Sequence, residues 1–175
     1  MRLQEELKVL DTLELTENKS KISLKQYLSE EAVCFLSHSS KKQVLFELVD
    51  KLATLEKIKR KNAFLQAILK REDIVSTGIG VGVAIPHAKL MDLEDFFIIL
   101  GVQKLKGIEW DSIDKSPVRF VFMIGGPENR QIEYLQILSK LTLIMRDETL
   151  RQKLLYFTSP KQVYEQLIAY DDNLL

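Results

Sequence analysis

The sequence predicts an α/β fold in which helices pack on a central sheet. Three observations lead there. Two strand-length stretches, Phe96 to Val102 and Val118 to Ile124, are almost entirely apolar, the second interrupted only by Arg119. Amphipathic helical stripes lie before and after them, and glycine- and proline-rich breaks separate the pieces. Strands that are apolar throughout are covered on both faces. Helices with one apolar stripe bury that stripe against something else. Alternating the two along a chain produces layers of helix on sheet.

The elements follow in order. Leu3, Leu7 and Leu10 have helical spacing, and Thr16-Glu17-Asn18-Lys19-Ser20 breaks it, so residues 1–20 are expected to form an N-terminal helical extension to a domain over 21–175. Leu24 to Leu28 reads as a short helical turn and Ala32 to Leu36 as a strand. Ser39 and Ser40 are cap candidates for a helix in which Val44, Leu45, Leu48, Val49, Leu52 and Leu55 form the buried stripe. Asn62 is the expected cap of the next helix, where Phe64, Leu65, Ile68 and Leu69 face inward and Arg71-Glu72 lie near the end. Gly82 to Ile85 is strand-like. Lys106-Gly107 and Asp114-Lys115-Ser116-Pro117 are turns between the two apolar strands, and Gly125-Gly126-Pro127 is expected to stop the second. Tyr134, Leu135, Leu138, Leu141, Thr142 and Met145 mark a long helix. Leu150 to Tyr156 and Pro160 to Ile168 mark two more.

Composition narrows the function. A chain of 175 residues with 46% hydrophobic and 29% charged residues can bury a core of its own. Lys plus Arg equals Asp plus Glu, 25 against 25, so no basic footprint points to nucleic acid. No apolar run approaches the about 20 residues of a membrane span. The first residues carry mixed charge and lack the apolar centre of a signal peptide. Cys34 is the sole cysteine, which rules out an internal disulfide and suggests a reducing cytoplasm. Cys34 and His38 have same-face spacing on an extended strand. With two histidines and one cysteine in the chain, no metal site is expected.

The chemistry concentrates in Ser76-Thr77-Gly78-Ile79-Gly80-Val81-Gly82-Val83-Ala84-Ile85-Pro86-His87-Ala88-Lys89. Glycines at alternate positions allow positive φ and close backbone approach. Pro86 fixes its own φ and keeps Ile85 extended. His87 therefore stands at the end of a stiffened strand, able to exchange a proton or act as a nucleophile near neutral pH. A buried structural imidazole is the alternative, but it needs no backbone so close or so stiff. The glycine spacing matches neither the Rossmann fingerprint nor a P-loop. It is compatible with an anion-binding turn, to which Ser76 and Thr77 would add hydroxyls. Arg71 is either a guanidinium that forks onto phosphate oxygens or a cation that favours its helix end.

Arg71-Glu72 and Ser76 through Ala88 together resemble the signature of phosphotransferase-system enzyme IIA domains of the fructose/mannitol class, most of all the nitrogen-regulatory branch. The resemblance continues through Gly107-Ile108-Glu109-Trp110-Asp111-Ser112-Ile113-Asp114, Pro117-Val118 and Gly125-Gly126-Pro127-Glu128 to the Leu135 and Leu138 helix, over roughly residues 22 to 170. It implies a mixed sheet flanked by helices, no cofactor, and a histidine phosphotransferase that receives its phosphoryl group from the phosphohistidine of an HPr-like carrier. By position, His87 would be the nucleophile and Arg71 its charged neighbour. Ser76, Thr77 and Gly78 would shape the adjoining turn. Regulatory target proteins, or a IIB domain, would be the onward partners. Within these residues no transporter or IIB segment appears, which leads us to expect regulation in preference to sugar uptake. One departure stands out: Tyr134 takes the place where the family usually carries a second histidine. A phenol can donate one hydrogen bond but cannot exchange a proton near neutral pH. The alternatives to a phosphorylated regulator are therefore a binding module of the same fold that is not phosphorylated and a sugar-specific IIA component that passes phosphate to a IIB domain.

Overall fold

The computed structural model describes residues 22–174, and the helical extension expected over residues 1–20 lies outside them. Two 3-10 turns, Leu24–Gln26 and Glu30–Ala32, lead into strand β1 (Val33–Phe35). Helices α1 (Lys41–Thr54) and α2 (Lys61–Ile74) follow. Three short strands come next: β2 (Gly78–Gly80), β3 (Val83–Ala84) and β4 (His87–Lys89). The long strands β5 (Phe97–Val102) and β6 (Phe120–Gly126) precede helices α3 (Gln131–Met145), α4 (Glu148–Tyr156) and α5 (Pro160–Leu174).

The six strands form one mixed sheet in the order β1-β5-β6-β3-β2, with β4 also on β6. Strands β5 and β6 pair antiparallel, Ile99 opposite Met123, and every residue of both is buried. That two-sided burial is what their unbroken apolar sequences require. Strand β1 runs parallel to β5, and β3 and β4 run parallel to β6. The α1 stripe packs inward at Val44, Leu45, Leu48, Val49 and Leu52.

Three boundaries differ from the sequence expectation, each for a local reason. Helix α2 begins at Lys61 behind Arg60, so Asn62 lies inside its first turn. Strand β6 continues through Gly125 and Gly126 and ends at Pro127. Those glycines stay in the ladder because a Cβ at Gly125 would stand 2.3 Å from Phe97 Cζ, and one at Gly126 would stand 2.0 Å from Phe96 Cδ1. Pro86 does not end its strand either. Strands β3 and β4 run consecutively along the same edge of β6, Val83 opposite Phe120 and His87 opposite Ile124. Pro86 lacks an N–H, but its carbonyl accepts the Ile124 N–H at 2.9 Å and carries the register across the gap. His87 thus opens the second half of an interrupted strand.

A buried ion pair closes the fold. Lys140 Nζ of α3 meets Asp171 Oδ1 of α5 at 2.8 Å, and Asp171 Oδ2 accepts the Leu24 N–H at 2.6 Å. The other carboxylate oxygen thus ties the start of the described chain to its last helix.

Candidate active site

His87 is 5% exposed, and two hydrogen bonds define its protonation. Nδ1 lies 3.1 Å from the Ile85 carbonyl, which can only accept. Nε2 lies 3.2 Å from Arg71 Nε–H, which can only donate. The ring is therefore the neutral Nδ1–H tautomer with its lone pair on Nε2. Burial pushes its pKa down to about 4, and the charges of Arg71 and Lys89 push the same way against the Ile85 carbonyl. The result is an uncharged nucleophilic nitrogen at any physiological pH.

Arg71 reaches the ring from the last turn of α2, where a cation also favours the helix end. Its Nη1 donates to the Val75 carbonyl at 3.1 Å, which fixes the guanidinium plane. Its Nη2 is buried without a hydrogen-bond partner among the described residues. An arginine fork with an unused donor beside a nucleophilic nitrogen is matched to an incoming oxyanion.

Tyr134, fully buried on α3, packs its ring against His87 with centroids 5.1 Å apart and planes at 47°. Phe96 stacks behind it, 6.3 Å away at 23°. The contact with His87 is ring against ring.

The other residues picked out by the sequence belong to the supporting turn. Ser76 Oγ donates to the Trp110 carbonyl at 2.7 Å and accepts the Gly78 N–H at 3.1 Å. Thr77 is fully buried. Its N–H and hydroxyl both go to the Glu72 carboxylate, its Oγ1 accepts Trp110 Nε1–H at 3.2 Å, and its carbonyl accepts the Ile85 N–H. Glu72 in turn meets Lys41 Nζ at 2.6 Å. Gly78 admits Ser112, whose Oγ would lie 2.3 Å from an added Cβ.

The glycine turn is not an anion cradle for His87. Gly80, Val81 and Gly82 have φ of 95°, 52° and 78° and form the tip of the β2–β3 hairpin. The Val81 N–H goes to Asp114 Oδ2 at 2.8 Å and the Gly82 N–H to Ser116 Oγ at 3.3 Å. Asp114 takes the anion's place, and the Ser116 hydroxyl with the Val81 amide holds its carboxyl down at about 2. A β-branched residue at positive φ is strained, so the Asp114 clasp is what keeps Val81 there.

Cys34 and His38 do not converge on a metal. His38 Nδ1 lies 2.7 Å from Glu47 Oε2, and among the described residues no three His, Cys, Asp or Glu side chains cluster as ligands. No helix among them is long and apolar enough to cross a membrane. Local sequence pattern assigns no role to two residues at the site: Glu72, and Lys89, whose Nζ stands 4.4 Å from the centroid of the Tyr134 ring. Lys89 follows His87 by two residues on a strand, and that spacing places both on one face.

The fold that carries this site is shared with solved proteins. The Neisseria meningitidis nitrogen regulatory protein IIA-Ntr matches with a TM-score of 0.75 and 26% identity over 81% of this chain and 97% of its own. A nitrogen regulatory protein of Bradyrhizobium diazoefficiens is 34% identical over 75% of this chain and 85% of its own. The fructose-specific EIIABC component of Bacillus subtilis is also 34% identical, over 78% of this chain, but the match spans 21% of that longer protein. The family model described as phosphoenolpyruvate-dependent sugar phosphotransferase system, EIIA 2, matches residues 26–170. The chain belongs to that family.

Proposed function

We propose that the chain is a cytoplasmic regulatory IIA protein that accepts a phosphoryl group on Nε2 of His87 from an HPr-type carrier and changes its protein partners accordingly. The observation that carries this reading is the pairing of a lone pair on Nε2 with an arginine whose Nη2 has no hydrogen-bond partner among the described residues.

The transfer balances without moving a proton. The His87 lone pair forms the new N–P bond while the carrier's N–P bond breaks, and that electron pair returns to the carrier imidazole. His87 keeps its Nδ1–H and becomes cationic, which strengthens the bond to the Ile85 carbonyl. Arg71 leaves Nε2 as phosphorus arrives and turns its fork to the phosphoryl oxygens, which bear about two negative charges. Catalysis of such a transfer is positioning and charge stabilisation. The new charge alters the face that partner proteins meet.

Incubation with enzyme I, HPr and phosphoenolpyruvate tests this. Acid-labile phosphate should appear on the native chain and be lost in His87→Ala and His87→Gln; an unlabelled native chain overturns it. The 34% identity to a fructose-specific component favours a second reading, a sugar-specific IIA that passes its phosphate to a IIB domain. Transfer to an added IIB domain separates the two. Tyr134, in the position of the family's second histidine, bears on that onward step.

A further inference from the structure

His87 and Lys89 are two residues apart on β4, so their side chains leave the strand on the same face. The ladder holds both: His87 is opposite Ile124 and Lys89 opposite Gly126. Both side chains also rest on one ring. The His87 centroid lies 5.1 Å from that of Tyr134, and Lys89 Nζ stands 4.4 Å from the same Tyr134 centroid. An ammonium is drawn to such a ring face by its quadrupole. Lys89 Nζ also donates to Gln131 Oε1 at 2.6 Å, three residues before Tyr134 on α3. One helical turn therefore holds the ammonium at two points, one of them the ring that also meets the imidazole.

Arg71 approaches His87 from α2, whereas Lys89 approaches from the continuation of its own strand. We propose that Lys89 is a positioning cation for the phosphoryl group on His87, held on the Tyr134 ring and Gln131 and drawn toward the oxygens as they arrive. The inference rests on reading His87 as the phosphoryl acceptor. Lys89 forms no bond to phosphorus and transfers no proton. It stabilises the negative charge that spreads over three oxygens during transfer, and its long stem lets the ammonium follow them. Its charge already acts on the resting imidazole, adding to the downward push on His87.

The test compares the full chain with Lys89→Met, which keeps the stem and removes the charge, and with Lys89→Arg. Two donors are used: the phosphorylated carrier protein, and phosphoramidate, a small donor that presents no docking surface. Lys89→Met should be labelled roughly tenfold to a hundredfold more slowly by both donors, with its thermal midpoint unchanged. Lys89→Arg should recover most of the rate. The His87 imidazole, followed by NMR, should titrate at higher pH in Lys89→Met and not in Lys89→Arg. Native-rate labelling of Lys89→Met by both donors overturns the proposal. Slowing with the protein donor alone also overturns it, because Lys89 would then be a docking contact. If the native chain takes no label from either donor, the reading of His87 falls and this inference with it. A labelled native chain beside an unaffected Lys89→Met removes only the role of Lys89.

Discussion

Arg71 Nε and His87 Nε2 lie 3.2 Å apart, donor against lone pair, so the nitrogen proposed to attack phosphorus is capped by the cation proposed to receive the phosphoryl oxygens. With His87 only 5% exposed, the bonds from Arg71 and to the Ile85 carbonyl occupy both ring nitrogens. If His87 accepts the phosphoryl group as proposed, the hydrogen bond from Arg71 is the one the transfer has to replace.

Removing that cation uncovers the nucleophile but takes away the charge, and the second effect should dominate. Arg71→Ala should slow phosphorylation by roughly a hundredfold to a thousandfold. The loss of the bond to the Val75 carbonyl should cost about 1 kcal/mol of stability and leave the fold intact. Arg71→Lys should recover little, since a point charge cannot reproduce the planar fork. A native labelling rate in Arg71→Ala would remove Arg71 from the site.

The buried imidazole makes stability depend on pH. His87 titrates near 4 in the folded chain against an ordinary value of 6.5, so between those values the unfolded chain binds the extra proton. Its contribution is complete above about pH 6.5 and is lost as the pH falls to about 4, at most about 3 kcal/mol in all. The difference in unfolding free energy between the native chain and His87→Gln, measured from pH 7 to 4, isolates it from the carboxylates. A pH-independent difference would mean that the ring titrates in the folded chain as it does in the unfolded one, and a difference that grows toward low pH would mean that the folded ring is protonated.

Thr77 is expected to support the turn without meeting the phosphoryl group. Thr77→Val keeps the shape but deprives Trp110 Nε1 of its acceptor and Glu72 of a donor. Leaving buried groups unsatisfied costs about 1–3 kcal/mol. Denaturant unfolding should show that loss, while the labelling rate of the folded protein stays near native. A collapsed rate with unchanged stability would place the hydroxyl in the chemistry.

The strands β5 and β6, the α1 stripe and the prominence of His87 were legible in the sequence because each rests on local pattern. The residues that lock the site were not, because their partners are distant. Asp114 takes the Val81 amide from 33 positions away, which turns an apparent anion cradle into a clasped hairpin tip. Trp110 reaches Thr77 across 33 positions, and nothing near Thr77 announces it. Pro86 reads locally as a strand end, yet the neighbouring strand carries the ladder past it through the Ile124 amide. For Lys89 the local signal exists, because a spacing of two from His87 on a strand places both side chains on one face.

Gly126 joins the sheet to the site by close contact, and that makes it a test of how the ring platform is held. An alanine methyl there would meet the Phe96 ring at 2.0, 2.3 and 2.6 Å, so the ring has to move. Phe96 is 4% exposed and stacks on Tyr134, which faces His87, so the displacement passes from sheet to ring to imidazole. Gly126→Ala should cost about 1–3 kcal/mol as overpacking and should also slow labelling of the molecules that remain folded. Gly101→Ala is the matched control. Its methyl would meet Leu36 Cδ2 at 2.6 Å and Leu48 Cδ2 at 3.0 Å, inside the core and away from the His87 contacts. It should lower stability comparably and leave the labelling rate of the folded fraction unchanged. Equal effects of the two substitutions on that rate would mean that Phe96 and Tyr134 do not hold the imidazole in place, and that His87 depends on its two hydrogen bonds alone.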